Sequence, residues 1–335
     1  MEALLTTPRI ERAGLVALAS ILRTASCRRV LVISGPGARH AERLERELAE
    51  FERQIFAEAR RHVPTELVER ASGVLGAFDA DAVVTIGGGS ATGLGKALRL
   101  QRQFFFVAVP TTYAASELTD LFGMTSAGGK RTGRDPRVVP DVALYDVDLM
   151  LDMPIGLSVT SLLNAFAHPA SALSTGKLDA QGAERALAAA ASVYSALQHL
   201  GADPRSLAGR QAAIDGTLRA GVVLRTSAVG LHHEVAHALG GRFDLDHAGL
   251  HGALLPHSVA GLAGLAPAAL EALQSRVGDA RLPHTLQAFL RSAGAPVSLA
   301  ELGVTRAGLD QLLAERPHLP REWLERAFAG DEPRP

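Results

Sequence analysis

Short apolar runs alternate with charged, amphipathic stretches along the first half of the chain. Arg29-Val30-Leu31-Val32-Ile33 stops at the turn Ser34-Gly35-Pro36-Gly37, and a charged amphipathic helix is predicted over 41–52. The pattern then predicts a strand over 54–58, a helix over 64–78 and a strand over 82–86. A helix through 94–100 and a strand over 104–109 follow, then a hairpin-like region over 123–139 and a strand over 142–145 that closes the sheet. Apolar strands separated by helices predict a parallel sheet covered on both faces. Near Pro154 the texture changes. From there Ala and Leu recur at helical spacing, as in 182–200, with Gly and Pro mostly at junctions. The expected architecture is a Rossmann-like α/β domain over 1–153 followed by an all-helical domain over 154–335, with 330–335 a frayed tail.

Composition narrows the partners. A chain of 335 residues that is 47% hydrophobic buries a large core, and its net charge is -1 without a long basic run. Nucleic acid and anionic membrane as main partners are therefore excluded, because each needs a concentrated basic surface. The single cysteine, Cys27, rules out an internal disulfide and a cysteine-based zinc cluster. The start of the chain lacks a basic region followed by an apolar run, and no stretch approaches the roughly 20 apolar residues of a membrane span. A soluble, cytoplasmic protein is expected.

Two motifs carry chemistry. The first is Gly87-Gly88-Gly89-Ser90, between the strand over 82–86 and a helix start. Glycines let backbone approach a diphosphate, and free N–H groups at a helix start bind its charge. It is not a Walker A loop, since Ser90 and Ala97 stand where that pattern needs Gly and Ser or Thr. A tight turn without ligand is the plainer reading. Its partner is the hydroxyl-rich stretch from Thr111 and Thr112 to Ser116 and Thr119, directly after the next apolar strand. That placement suits a cofactor lying across a sheet crevice.

The second motif is His233-Glu234-Val235-Ala236-His237, read in two ways. It matches a zinc-protease signature with Glu234 as base, but the third histidine of the extended form would fall at Phe243. The alternative is acid–base chemistry by imidazoles, six of which lie between His232 and His257. A lone histidine is usually a satisfied core group; six in one stretch are harder to read that way.

Gly87 to Ser90, Pro110-Thr-Thr-Tyr113, Lys130-Arg-Thr-Gly-Arg-Asp-Pro136, Gly230-Leu-His-His233 and the run from His237 to His257 occur in that order. Together they make the chain similar to the iron-containing alcohol dehydrogenase superfamily, and within it to the maleylacetate reductase branch. The resemblance implies a dehydroquinate synthase-like fold, a homodimer, and a part in the catabolism of aromatic compounds. It implies NADH or NADPH as cofactor. The diphosphate would lie at Gly87, Gly88, Gly89 and Ser90, and the nicotinamide near Thr111, Thr112 and Ser116, with Thr119 and Lys130 also in the cofactor set. The ring would donate hydride to an unsaturated oxo-dicarboxylic acid. No acidic residue follows the first strand at Gly35-Pro36-Gly37, which leaves NADH against NADPH open.

By the same resemblance His237 and His247 contact substrate and move or orient the proton, with His233 beside them; Asn164, His168, Arg242 and His251 line the substrate, and His257 is a weaker candidate. Lys130, Arg131, Arg134, Arg137 and Arg242 are the cations available to carboxylates. Metal-dependent members hold a divalent ion with one Asp and three His, at positions matched by Asn164, His168, His233 and His247. The amide of Asn164 removes the carboxylate, so no metal is expected. A metal-dependent alcohol dehydrogenase and a non-redox biosynthetic enzyme are the alternatives. Departures from the branch pattern cluster at Leu162, Ser171, Ser174, Ala236, Asp246 and Gly249. An added Asp beside His247 predicts kept cofactor binding and an altered substrate.

Overall fold

Strands that are apolar on both faces tolerate water on neither, and the first half of the chain folds accordingly. In chain order its elements are β1 (Arg9–Glu11), α1 (Leu18–Thr24), β2 (Arg29–Ser34), α2 (Ala41–Glu47), β3 (Glu52–Phe56), α3 (Thr65–Ala77), β4 (Ala82–Gly87) and α4 (Gly89–Gln101). Then come β5 (Phe105–Pro110), the hairpin β6 (Leu121–Ser126) and β7 (Gly129–Arg134), β8 (Val142–Leu144) and α5 (Asp148–Leu151). The computed structural model describes residues 7–37, 40–126, 129–228 and 230–334. Two compact units divide the chain, Met1–Asp152 and Met153–Pro335.

The sheet of the first unit runs β1-β8-β5-β4-β2-β3, and every pairing in it is parallel. Side chains alternate across it with period two. Val30, Val32, Val84, Val107 and Val109 pack on one face with Leu18, Leu22, Leu44 and Leu48. Leu31, Ile33, Val83, Phe106 and Ala108 pack on the other with Val68, Leu75, Leu94 and Leu98. Strand order reverses between β2 and β4, so the crevice for a ligand opens at the carboxyl ends of those strands.

Three expectations are corrected. The strand over 142–145 does not close the sheet; β8 lies inside it, between β5 and β1. The outer strand β1 is short and largely exposed, and so carries no apolar signature. Helix α2 stops at Glu47 because residues from Glu52 onward pair with β2, beginning at Arg29 opposite Glu52. Helix α4 begins at the glycine turn rather than at Leu94.

Helices are the regular elements of the second unit's described residues: α6 (Ile155–Ser174), α7 (Ala180–Ala202), α8 (Leu207–Thr226), α9 (Leu231–Phe243), α10 (His247–Ala260), α11 (Leu262–Leu265), α12 (Pro267–Val277), α13 (Leu282–Ser292), α14 (Arg306–Glu315) and α15 (Arg321–Ala329). Helices α6 and α10 pack on each other. Every residue of 158–172 and of 249–260 is buried. A helix apolar all round belongs in the middle of a bundle, so polar side chains on these two are there at a cost and need partners. No helix among the described residues is long and apolar enough to cross a membrane.

Gly95 sets how closely α4 lies on the sheet. A Cβ there would stand 2.6 Å from Thr85 Cγ2 and 2.7 Å from the Phe106 ring, whereas one at Gly73 on α3 meets nothing within 4 Å. Gly95→Ala is expected to lower the unfolding free energy by about 1–3 kcal/mol. Gly73→Ala should leave it unchanged or raise it by up to about 1 kcal/mol. Urea titrations of both variants check this, and an unshifted midpoint for Gly95→Ala would contradict it.

Candidate active site

The glycine turn is shaped by backbone. Pairing of β4 with β5 continues to Gly87 opposite Pro110, and Thr111 N donates to Gly87 O at 2.9 Å. Gly87 has φ 146°, where a Cβ is strained. A Cβ on Gly88 would lie 3.0 Å from Cγ2 and 3.1 Å from Oγ1 of Thr112. Helix α4 starts at Gly89 with no side-chain cap, leaving its first N–H groups to an outside acceptor. A Cβ-free cradle, an uncapped helix start and two threonines at the carboxyl ends of β4 and β5 suit a dinucleotide diphosphate.

Behind this turn lies a residue that the sequence reading did not assign. Lys96 is fully buried, and its Nζ donates to the carbonyls of Ser116 (2.5 Å), Thr119 (2.7 Å) and Leu121 (2.8 Å). Those three acceptors hold the segment after β5 against α4. Burial pulls its pKa down to about 7, against the opposing charges of Glu117 and Asp120. Buried Glu117 accepts from Tyr145 Oη, and burial raises its carboxyl pKa. A lysine inside the run Leu94 to Leu98 of a sheet-facing helix was the available signal. Thr119, expected beside the cofactor, is buried, and its hydroxyl lies 3.2 Å from Lys96 Nζ. Lys130 pairs in β7 opposite Thr125; its side chain lies outside what the structure describes.

In the helical unit α6 carries Asn164 and His168, α9 opens with His232 and His233 and presents His237 a turn later, and α10 carries His247 and His251 a turn apart. His168 Nδ1 lies 3.0 Å from His233 Nε2, with the rings stacked at 5.1 Å. His232 Nε2 lies 2.8 Å from His251 Nδ1, and His232 Nδ1 lies 2.8 Å from Ser258 Oγ. His247 stands edge-on to His251, ring centres 4.4 Å apart. His168, His232, His233 and His251 are buried, while His237 and His247 are exposed. Asn164 Oδ1, His168 Nε2, His233 Nδ1 and His251 Nε2 are buried without a protein partner, and such atoms mark where a polar ligand atom would be taken.

Burial, reinforced by neighbouring imidazoles, lowers the pKa of His168 and His232 to about 3 and holds His233 and His251 well below the usual histidine value. The buried four are thus neutral hydrogen-bonding groups at neutral pH. His257 stands apart: burial first, then Arg326, lowers it to about 4.

Several departures from the branch pattern are local structure. Asp246 Oδ2 accepts from Gly249 N at 2.8 Å, capping the helix that carries His247 and His251, and a Cβ on Gly249 would come within 3.2 Å of that same oxygen. Asp246 and Gly249 therefore form one cap. Ser171 Oγ accepts from Gly230 N at 2.8 Å, and a Cβ on Gly230 would lie 2.7 Å from Ser174 Oγ, so both serines fit the entry to α9. The cations proposed for carboxylate recognition are engaged: Arg242 with Glu315 at 2.6 Å, Arg134 with Asp120 at 2.8 Å, Arg137 with Asp135 at 2.6 Å. Arg131 lies over the Phe122 ring at 6.0 Å.

The residues at the metal-matching positions are a poorer set for a divalent metal than one that includes a carboxylate. The four matching positions supply three imidazoles and an amide, no carboxylate, and nitrogens of His168 and His233 are directed at each other. Among the described residues no three of His, Cys, Asp or Glu converge as a metal-binding group. The protease geometry fails too, because Glu234 is exposed and bonded to His318 at 2.8 Å while His233 is buried against His168.

A parallel-sheet unit with a glycine turn, followed by a helical unit with clustered histidines, is the architecture of an oxidoreductase family. Residues 8–147 match the iron-containing alcohol dehydrogenase model, and residues 158–316 match that of the family's C-terminal domain. The maleylacetate reductase of Rhizobium sp. (strain MTP-10005) is 37% identical over 331 residues, covering 95% of this chain and 94% of that protein. That of Burkholderia cepacia is 39% identical over 316 residues, covering 92% and 90%. The crystal structure of the Rhizobium enzyme superposes with a TM-score of 0.87 at 36% identity, covering 99% of this chain and 100% of that one. An iron-containing alcohol dehydrogenase from Corynebacterium glutamicum gives 0.87 at 32% identity, covering 98% and 97%. The chain belongs to the iron-containing alcohol dehydrogenase family and is an oxidoreductase similar to maleylacetate reductases.

Neutral buried imidazoles make stability depend on acid. An unfolded histidine takes a proton near pH 6.5, whereas the buried four hold out to lower pH. Below that pH the unfolded chain binds more protons, so stability rises with pH there and is lost as pH falls. Each such imidazole removes about 1.4 kcal/mol per pH unit. The urea midpoint should be lower at pH 5.5 than at pH 7.5, within about the range those slopes allow, and equal midpoints would contradict the neutral cluster.

Proposed function

We propose that this protein is an NAD(P)H-dependent reductase that delivers hydride to an unsaturated or oxo carboxylic acid without a metal ion. The observation that carries the reading is the division among the histidines: four are buried with pKa values below the ordinary range, and His237 and His247 remain exposed beside them. A reduced nicotinamide supplies the hydride when bound. The protein's part is to hold the diphosphate at Gly87 to Ser90, keep Thr111, Thr112 and Ser116 in place through Lys96, and provide the proton from His237 or His247. Asn164, His168, His233 and His251 offer neutral polar atoms to the substrate. Relatives named maleylacetate reductases support the reaction class.

The preferred acid differs from maleylacetate in this reading. The Asp246 carboxylate at the start of α10 adds negative charge next to His247, and Arg134, Arg137 and Arg242 are already paired. A dimeric state and a cytoplasmic location rest on the family resemblance.

Oxidation of NADH and NADPH, followed against maleylacetate and other oxo and unsaturated acids, tests the proposal. Turnover is expected, with maleylacetate weaker than another acid in the set. His237→Ala should lower kcat by about a hundredfold or more with nucleotide affinity kept. Absence of nucleotide binding would overturn the reductase, and maleylacetate as the best substrate would overturn the altered preference. Lys96→Met should raise the KM for nucleotide more than it lowers kcat, and an unchanged KM would contradict its hold on the segment after β5.

A further inference from the structure

The hydroxyl of Ser258 has one proton and two neighbours. It lies 3.0 Å from the Leu255 carbonyl, which only accepts, and 2.8 Å from Nδ1 of His232. If the proton goes to Leu255, Ser258 Oγ accepts from His232 Nδ1–H. Both rings are buried and bonded only to Ser258 and to each other, with no carboxylate to compensate a charge, and a neutral imidazole carries a single N–H. His232 Nε2 is then an acceptor, and the 2.8 Å contact with His251 Nδ1 requires His251 to donate. His251 Nε2, buried without a protein partner, is left holding a lone pair.

The opposite order begins with Ser258 donating to His232 and ends with an N–H on His251 Nε2, buried and without an acceptor. Orphaned buried N–H groups are rarer than under-satisfied acceptors, and leaving one costs its full desolvation. The first order therefore wins.

We propose that Ser258 is a positioning residue: through His232 it fixes the tautomer of His251, so that an acceptor nitrogen is held next to His247. The fixed lone pair takes a donor hydroxyl of the substrate or product, and refuses a carbonyl or carboxylate oxygen. A cavity of about 260 Å³ borders Ser258 and His232, with Gly230, Val259 and Trp323 also in its wall. Removing the hydroxyl, or adding a methyl there, consequently disturbs little packing.

The tautomer assignment stands independently of the proposed function; its effect on turnover rests on that reading. Spectra of the full-length protein labelled with 15N-histidine give the direct test. In the wild type both His232 and His251 are expected to carry the proton on Nδ1, with Nε2 bare. Ser258→Ala should disturb that order and lower kcat about tenfold, one hydrogen bond's worth of orientation, with the KM for nucleotide unchanged. Ser258→Thr should restore both. A proton on His251 Nε2 in the wild type, or unaltered tautomers in Ser258→Ala, would overturn the inference. Altered tautomers with unaltered kcat would overturn the positioning role. A wild type that binds no nucleotide would instead fail the reductase reading, and the spectra would still decide the tautomers.

Discussion

Polar side chains in the middle of a helical bundle have to find partners, and here they do so only in part and without a carboxylate. Asn164 brings an amide to the position where metal-dependent members of the family carry Asp, and His168, His232, His233 and His251 lie buried against one another. An imidazole in such surroundings has two options: to take a charge that nothing compensates, or to stay neutral and bond to its neighbours. Burial decides for the second, and the contacts of His168 with His233 and of His232 with His251 follow. The rest of the site inherits this constraint. In the proposed reaction proton transfer is assigned to the exposed imidazoles, and the four metal-matching positions offer no negative ligand.

The sheet unit obeys a different constraint, the close approach of backbone. Gly87 and Gly88 are required by a positive φ and by the distance to Thr112, and the facing segment is tied down by one buried ammonium on three carbonyls. Both halves are built by hydrogen bonds hidden from solvent. A neutral substitution on the outside should therefore be tolerated far better than one at Lys96 or Ser258.

Much of this was legible in the sequence. Apolar runs such as 29–33 and 82–86 announced the parallel sheet because both faces of those strands are buried, and the Ala- and Leu-rich texture announced the helices. The β1 strand was not legible, being short and exposed. Motifs located the glycine turn and the histidines, and the family resemblance picked out Asn164, but neither carries information on which ring nitrogen meets which partner. Asp246 and Gly249 read as two separate changes beside His247 and share one helix cap, a pairing visible only once residues three apart are seen to share a hydrogen bond. Lys96 was hidden by its own burial, since a charged residue in a helix ordinarily signals a solvated face.

The neutrality of the buried cluster is tested most directly by metal analysis of the protein purified without chelator, combined with turnover before and after chelation. The account predicts far less than one divalent ion per chain and turnover that chelation leaves intact. One tightly held ion per chain, with activity lost on its removal and regained on its return, would contradict it.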